Sequence, residues 1–265
     1  MIKTPLSTVI GGAGIWTPGC TVIGGQQNID QLIKSLFSDG TQGIYLNAQD
    51  AVSVSDLSSV KDLSGNNNHA VQADSAKRAT LITDPSGYKS LKFDGIDDCY
   101  ATQSIDFSSS DEMTVIAAIK QSSVSSTGIV AELSARGDTN DGGFYFAAPS
   151  NHFNSVRGVA FRGTASISAQ TIYTGLLDTF VATSKAKIST PLVSYSENGI
   201  KLVNSSSSLG TGNFGNYPLF IGKRNATSLP FDGQIYAILV IGKLLDDATT
   251  QRIEKEFAKY IGVTL

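Results

Sequence analysis

Apolar and polar residues alternate in short runs along most of the chain, and clusters of Gly, Asn, Asp and Ser separate these runs. Alternation with a period of two is typical of half-buried β-strands, and turn residues bound such strands. The pattern predicts strands at residues 44–47, 91–93, 113–120, 129–133, 144–147, 158–162, 179–184, 192–196, 200–204, 219–221 and 234–241. Because no helical pattern separates them, they indicate an all-β antiparallel sandwich or barrel.

The sequence also predicts the bounds of one hairpin and two helices. Asn198-Gly199 supplies the two positive φ values of a type I′ turn, so strands 192–196 and 200–204 are predicted to pair. Asn28 caps a predicted amphipathic helix of about three turns that stops at Gly40. A second helix is predicted between the N-cap Asp246 and Gly262, and we expect it to pack on the sandwich.

Residues 1–27 contain Lys3 as their single charged residue and repeat the sequence Thr-Val-Ile-Gly-Gly at 8–12 and 21–25. These segments predict paired strands, either packed on the edge of the main domain or forming an arm that docks into a neighbouring subunit. Uncharged flat strands are sticky edges, which favours assembly. We therefore expect an N-terminal assembly arm with a short helix at 1–42, a sandwich domain at 43–265, and a homo-oligomer.

Composition and charge exclude several classes of function. Charged residues make up 16% of the chain, the net charge is −3, and no basic patch of the kind that binds nucleic acid is present. No apolar run reaches the ~18 residues of a membrane span, and glycines interrupt any signal-peptide core, so export by that route is not expected. Cys20 and Cys99 can form one bridge, but the sequence leaves their pairing open.

Several motifs occur in a characteristic succession, from Asp-Leu-Ser-Gly-Asn at 62–66 through 91–98, the Asn198-Gly199 hairpin and 218–224 to 231–236 and the C-terminal helix. Over about 43–263 this succession resembles the concanavalin A-like jelly rolls of the laminin-G-like type. The resemblance implies two curved antiparallel sheets and a glycan-binding or adhesive module, in some members with calcium. The Asp-Leu-Ser-Gly-Asn opening is similar to domains of bacteriophage tail and virion proteins.

The chain lacks the signatures of common catalytic sites. Glucanases of the same superfamily carry two Glu and an Asp on alternate positions of one strand, and none of the five glutamates here falls in that pattern. His69 and His152 are the only histidines, and no zinc motif, nucleophile elbow or phosphate-binding loop accompanies them. We therefore assign no catalytic residue and expect a protein that is not an enzyme.

Sugar binding commonly uses an aromatic ring against the apolar face of the sugar, with polar side chains for the hydroxyls. The segments 150–154 and 212–217 place aromatic residues among Asn and Gly in predicted loops, where they have less reason to be buried. Arg224 is a nearby polar candidate. The predicted ligand-binding residues are Asn151, His152, Phe153, Asn213, Phe214, Asn216, Tyr217 and Arg224.

Two acidic clusters raise the question of Ca²⁺, which prefers several oxygen ligands supplied by a turn. Asp138, Asn140 and Asp141 form an oxygen-rich loop before two glycines and are the predicted metal ligands, with a solvated turn as the alternative. The cluster of Asp94, Asp97 and Asp98 surrounds a glycine turn, and we interpret it as a structural turn whose carboxylates cap backbone amides.

These observations favour a non-catalytic virion structural protein with a lectin-like domain, such as a phage tail-associated or receptor-binding component that contacts host surface glycans. It would be made in the host cytoplasm, and residues 1–42 would contact other virion proteins. One alternative is a capsid decoration or tail-assembly subunit without a glycan ligand. Another is a free lectin or a polysaccharide-degrading enzyme. The sequence alone does not separate them, because function resides in loops grafted on the fold.

Overall fold

The structure is a computed structural model that describes residues 8–9, 14–16, 23–24, 28–123, 126–150, 156–172 and 179–265. Two antiparallel eight-stranded sheets pack face to face, which confirms the predicted all-β sandwich. The strands are β1 (Thr8–Val9), β2 (Gly14–Trp16), β3 (Ile23–Gly24), β4 (Gly43–Asn47), β5 (Ser59–Val60), β6 (Ala70–Val71), β7 (Thr80–Thr83), β8 (Lys89–Asp94), β9 (Tyr100–Asp106), β10 (Glu112–Gln121), β11 (Ile129–Leu133), β12 (Phe144–Ala147), β13 (Val156–Arg162), β14 (Ser166–Ile172), β15 (Thr179–Lys187), β16 (Leu192–Glu197), β17 (Ile200–Ser205), β18 (Asn216–Ile221) and β19 (Asp232–Ile241).

Sheet I has the order β17-β16-β15-β10-β19-β8-β7, and β4 also pairs with β19. Sheet II has the order β14-β13-β12-β11-β18-β9-β6-β5. Between the sheets lies an inner core that contains the rings of Phe93, Phe144, Phe161, Phe180 and Phe231, all of which are fully buried. Because the sandwich closes around these rings, the loops at its ends and the outer faces of the sheets remain for function.

Two helices cover the outer face of sheet I. Helix α1 (Ile29–Ser35) begins at the N-cap Asn28, and α2 (Asp247–Tyr260) begins at the N-cap Asp246, both as predicted. With outward side chains of sheet I they form an outer core that includes Ile33 and Phe257. Helix α1 is shorter than the predicted three turns, because from Leu36 onward the backbone changes to i→i+3 hydrogen bonds.

The Asp62 motif anchors β4 to the sandwich. The Asp62 carboxylate accepts hydrogen bonds from the Tyr45 amide at 3.0 Å, the Ser64 amide at 2.9 Å and the Asn68 amide at 2.9 Å. The Asn68 side-chain amide donates to the Gly43 carbonyl at 2.8 Å. The motif behind the family resemblance therefore has a structural role, since it satisfies backbone groups along a buried strand.

Most predicted strands appear with bounds extended by a few residues, and the Asn198-Gly199 turn has the two positive φ values expected, 50° and 73°. Strands β5, β6, β7, β9 and β14 were missed. Three of them, β5, β6 and β7, are short, while β9 and β14 carry Ser, Thr and Gln where a strand pattern expects apolar residues. Their pairing partners, rather than their own composition, make them strands.

The N-terminal strands pair among themselves. β2 pairs with both β1 and β3, so residues 8–9 and 23–24, one pair from each copy of the Thr-Val-Ile-Gly-Gly repeat, lie on either side of residues 14–16. Cys99 is a buried free thiol, and Cys20 lies outside the described residues. Neither helix of the described chain is long and apolar enough to cross a membrane.

Candidate functional site

A buried carboxylate lies on the outer face of sheet II. Glu132 stands in β11, whose other residues are apolar, and its side chain is 0% exposed. Its neighbours Ala131 and Leu133 belong to the inner core, so the alternation of a strand directs Glu132 outward. A carboxylate removed from water in this way requires hydrogen-bond partners.

Two loops supply those partners. Arg224, in the loop after β18, donates from Nε to both Glu132 oxygens at 3.0 and 2.9 Å. The backbone amide of Gly137, in the loop after β11, donates to Glu132 Oε1 at 2.7 Å. Burial raises the pKa of Glu132, although the Arg224 hydrogen bond opposes this shift. Glu132 thereby joins two loops that are distant in sequence.

The same arginine reaches a second carboxylate. Arg224 Nη1 lies 3.2 Å from Asp138 Oδ2, and Arg136 Nε lies 3.1 Å from Asp138 Oδ1. Burial alone would raise the pKa of Asp138, but the hydrogen bond from Arg136 and the charge of Arg224 outweigh it and lower the pKa. The Arg136 side chain is 56% exposed, so this chain of charges runs from the buried Glu132 to solvent.

A further ion pair extends the surface toward the end of the sandwich. Arg162, at the end of β13, places Nε 3.1 Å from Asp141 Oδ1, and the Asp141 side chain is 63% exposed. The Tyr217 hydroxyl donates to the Asp141 carbonyl at 3.1 Å. The loop after β11 is therefore held near Asp138 by Arg224 and near Asp141 by Arg162 and Tyr217.

We call the group formed by Glu132, Arg136, Asp138, Asp141, Arg162 and Arg224 the loop surface. It carries three positive and three negative side chains, and the Arg224 guanidinium lies 5.5 Å from the centre of the Tyr145 ring. Buried ion pairs contribute little net stability, whereas they fix the positions of their neighbours. The arrangement can therefore present exposed donors and acceptors in fixed places to a polar ligand.

The predicted ligand-binding residues fall in different environments. Arg224 belongs to the loop surface, and Tyr217 adjoins it through its hydrogen bond to the Asp141 carbonyl. Phe214 is buried in the inner core against Phe161, with ring centroids 6.1 Å apart, so its ring is not available for stacking. Asn216 is exposed, and the exposed Asn213 donates to the Ser108 carbonyl at 2.7 Å. Asn151, His152 and Phe153 lie outside the described residues.

The predicted calcium ligands Asp138, Asn140 and Asp141 lie in one turn, as expected. Both carboxylates face guanidinium groups, and the backbone amide of Asn140 donates to the Arg136 carbonyl at 2.7 Å. A calcium ion here would have to displace the arginines, so the donor set does not fit an ion without that rearrangement. The calcium site stays a prediction.

The other acidic cluster has carboxylate oxygens within 4.8 Å of one another, at Asp94, Asp97 and Asp98. Asp94 Oδ1 accepts from the Ile96 amide at 2.8 Å, and Asp98 Oδ2 accepts from the Asp94 amide at 3.0 Å. Burial, together with the charge of Asp94, raises the pKa of Asp98. These contacts agree with the interpretation of this segment as a structural turn.

Sequence reasoning missed Glu132, Arg136 and Arg162 as parts of a site. A usable signal was present for Glu132, because a charged residue in the middle of an apolar strand must have a buried partner. No comparable signal marks Arg136 or Arg162, whose partners come from turn geometry and strand pairing.

Searches with family models and against curated proteins found no match. Among solved structures, the binding domain of botulinum neurotoxin DC in complex with SialylT is similar with a TM-score of 0.59 and 11% identity, covering 87% of this chain and 52% of that one. The same domain in complex with rat synaptotagmin II gives 0.55 and 10%, covering 84% and 52%. Trypanosoma rangeli sialidase in complex with sialic acid gives 0.57 and 14%, covering 86% and 34%.

The chain thus spans about half of the toxin domain and about a third of the sialidase. At these identities the similarity concerns the fold alone. It confirms the antiparallel jelly-roll sandwich that the sequence resemblance implied, and it leaves the ligand to be argued from this chain's own residues.

Proposed function

We propose that the chain is a non-catalytic, glycan-binding domain of a virion protein and that the loop surface contacts the glycan. The observation that carries this proposal is the set of ion pairs from Glu132 through Arg224 to Asp138 and Arg136, which holds exposed donors and acceptors beside the Tyr145 ring. Sugars present hydroxyls together with an apolar ring face, and charged side chains with an adjacent aromatic ring match both.

The structural neighbours support a glycan as the class of ligand but do not specify which glycan this chain binds. One of them is a toxin binding domain in complex with SialylT and another is a sialidase in complex with sialic acid, but the same toxin domain also occurs with the protein synaptotagmin II. A sandwich of this type therefore carries different ligands. For this chain, the choice of a glycan rests on the polar character of the loop surface.

A non-catalytic role is supported by the state of the buried carboxylate. Both Glu132 oxygens accept hydrogen bonds from Arg224, and the side chain has no exposed surface, so neither oxygen can reach a substrate. Most glycosidases use two accessible carboxyl groups about 5–9 Å apart on either side of the bond to be cleaved. The virion setting rests on the similarity of the Asp62 motif to domains of phage tail and virion proteins.

A glycan array and a host-cell binding assay with the purified chain test this function. We expect binding to a limited class of glycans on the array and saturable binding to cells that display that class. Absence of binding in both assays would instead favour a structural subunit, such as a capsid decoration or tail-assembly protein. Release of free sugar from a bound glycan would contradict the non-catalytic part of the proposal.

A further inference from the structure

A second cleft lies on the opposite side of the molecule, between α2 and the outer face of β15, β16 and β17. Its volume is about 460 Å³. Helix α2 packs on β10 and β15 of sheet I through Ile253 and Phe257 and leaves the outer face of β16 and β17 uncovered. Pockets of a few hundred Å³ with polar groups at fixed positions are typical small-molecule sites.

The floor of the cleft follows from the alternation of β16. Val193 and Tyr195 point into the inner core, so Ser194 and Ser196 point outward to the cleft. These two side chains are small, which leaves a depression beside the helix. Lys201 of β17 stands directly opposite Ser196 in the sheet and also lines the cleft. The floor therefore offers hydroxyl groups and one ammonium group.

The wall contributes a buried carboxyl group. Glu254 of α2 is 4% exposed, lines the cleft, and has no ion-pair partner among the described residues. The Thr183 hydroxyl is also buried at the cleft, where it is a hydrogen-bonding neighbour of the Glu254 carboxyl group and lowers its pKa. A carboxyl group has more lone-pair sites than this one neighbour can occupy, so Glu254 can also accept a hydrogen bond from a ligand hydroxyl.

The two lysines of the cleft differ in their partners. Lys185 Nζ donates to the Leu245 carbonyl at 2.7 Å and to Asp247 Oδ1 at 3.1 Å, so its charge is already paired. Lys201 is exposed and makes no ion pair with any side chain that the structure describes. The cleft thus holds an available cation on one side and an available acceptor on the other.

We propose that this cleft binds a sugar that carries a carboxylate group. Lys201 pairs with the carboxylate, while Glu254, Ser194, Ser196 and Gln251 hydrogen-bond the sugar hydroxyls. An uncharged sugar would form no ion pair with Lys201, and a simple carboxylate would form no hydrogen bond with Glu254. The site lies on sheet I, whereas the loop surface lies on sheet II, so this inference goes beyond the proposed function and either can fail without the other.

Titration of the ¹⁵N-labelled chain with glucuronic acid, and separately with glucose, tests the cleft by NMR. We expect glucuronic acid to shift the amide signals of residues 194–201 and 247–254 in a saturable way. Glucose should bind at least about tenfold more weakly, a difference of about 1.4 kcal/mol. Lys201→Gln should reduce the affinity for glucuronic acid to that for glucose. Lys259→Gln, at the far end of α2 and paired with Glu256, is the matched control and should leave the affinity unchanged.

Three results would overturn the proposal. The first is the absence of a saturable shift in these residues with either sugar, in a chain whose spectrum shows it to be folded. The second is equal affinity for the two sugars, and the third is unchanged binding of glucuronic acid by Lys201→Gln. Shifts confined to residues 132–141 would place the sugar on the loop surface, which would support the proposed function and reject the cleft.

Discussion

At the scale of single residues, buried polar side chains determine which exposed ones have fixed positions. Glu132 is out of contact with solvent, yet it orients Arg224, and Arg224 in turn orients Asp138. Burial also distinguishes the two aromatic residues near this end of the sandwich that were predicted to bind a ligand. The Tyr217 hydroxyl reaches the loop after β11, whereas the Phe214 ring is enclosed by the inner core.

Phe214→Ala should therefore act on stability. Removing a fully buried ring that packs against Phe161 deletes its contacts and leaves a cavity, so we expect the free energy of unfolding to fall by about 3–5 kcal/mol. Urea unfolding of the wild-type chain and the variant measures this change. A variant that keeps wild-type stability but loses glycan binding would return Phe214 to the role of a binding platform.

Glu254 predicts a pH dependence of stability. Burial raises its pKa, the nearby Asp247 adds to the shift, and Thr183 and Lys185 oppose it. Because the folded chain then holds the proton more tightly than the unfolded chain, the stabilising contribution is complete below the unfolded pKa and is lost as pH rises through the folded pKa.

Glu254→Gln lacks this titration. The stability of the wild-type chain relative to the variant should therefore decline from about pH 4 upward, starting at the ordinary pKa of a glutamate. Urea unfolding of both proteins across a pH series measures the decline. A difference that stays constant across the series would show that burial does not raise the pKa of Glu254.

At the scale of elements, one turn supplies half of the residues of the loop surface. The turn at 136–143 contains the predicted calcium ligands and half of the residues of the loop surface. A calcium ion would therefore have to compete with the arginines for Asp138 and Asp141. A bound ion would stabilise the fold by about 2.7 kcal/mol at a hundredfold excess over its dissociation constant.

If calcium binds at this turn, the melting temperature should rise by about 2–4 °C per kcal/mol for a chain of this size. Thermal unfolding in EDTA and in millimolar calcium, for the wild-type chain and Asp141→Ala, measures the effect. Calcium binding at this turn predicts a rise in the wild-type chain that Asp141→Ala abolishes. Identical melting in all four samples would leave the arginine pairs as the sole role of these carboxylates.

Local sequence predicts many of the secondary-structure elements but none of the long-range contacts of the site. Strand alternation, the Asn198-Gly199 turn and the caps Asn28 and Asp246 are local signals, and the structure confirms the elements they predict. The contacts of Arg224 with Glu132 and Asp138 join residues separated by 92 and 86 positions. No local pattern encodes such pairs, because they depend on which strands become neighbours in the sheet.

At the scale of the whole molecule, the N-terminal strands form a sheet of their own, apart from the two sheets of the sandwich in hydrogen bonding. Helix α1 contributes Ile33 to the outer core of the sandwich. The strands β1, β2 and β3 pair with one another. The role of residues 1–27 as an assembly arm stays a prediction.

Removing residues 1–27 should give a folded monomer, because the chain would still include the N-cap Asn28 and keep both cores. Circular dichroism measures the fold, and sedimentation compares the oligomeric state with that of the full chain. Unfolding of the truncated chain would show that the segment belongs to the domain core, and an unchanged oligomer would place assembly elsewhere.

Glycan binding by the loop surface is tested most directly by array measurements on matched variants. The double variant Arg136→Ala/Asp141→Ala removes one exposed cation and one exposed anion of the loop surface and leaves the buried Glu132 pair in place. Lys77→Ala, which breaks the exposed Lys77–Asp74 pair, is the control. We predict that the wild-type chain and the control bind the same glycans and that the double variant, still folded, loses at least about tenfold in affinity. Equal binding by all three proteins would contradict the assignment of the glycan to this surface.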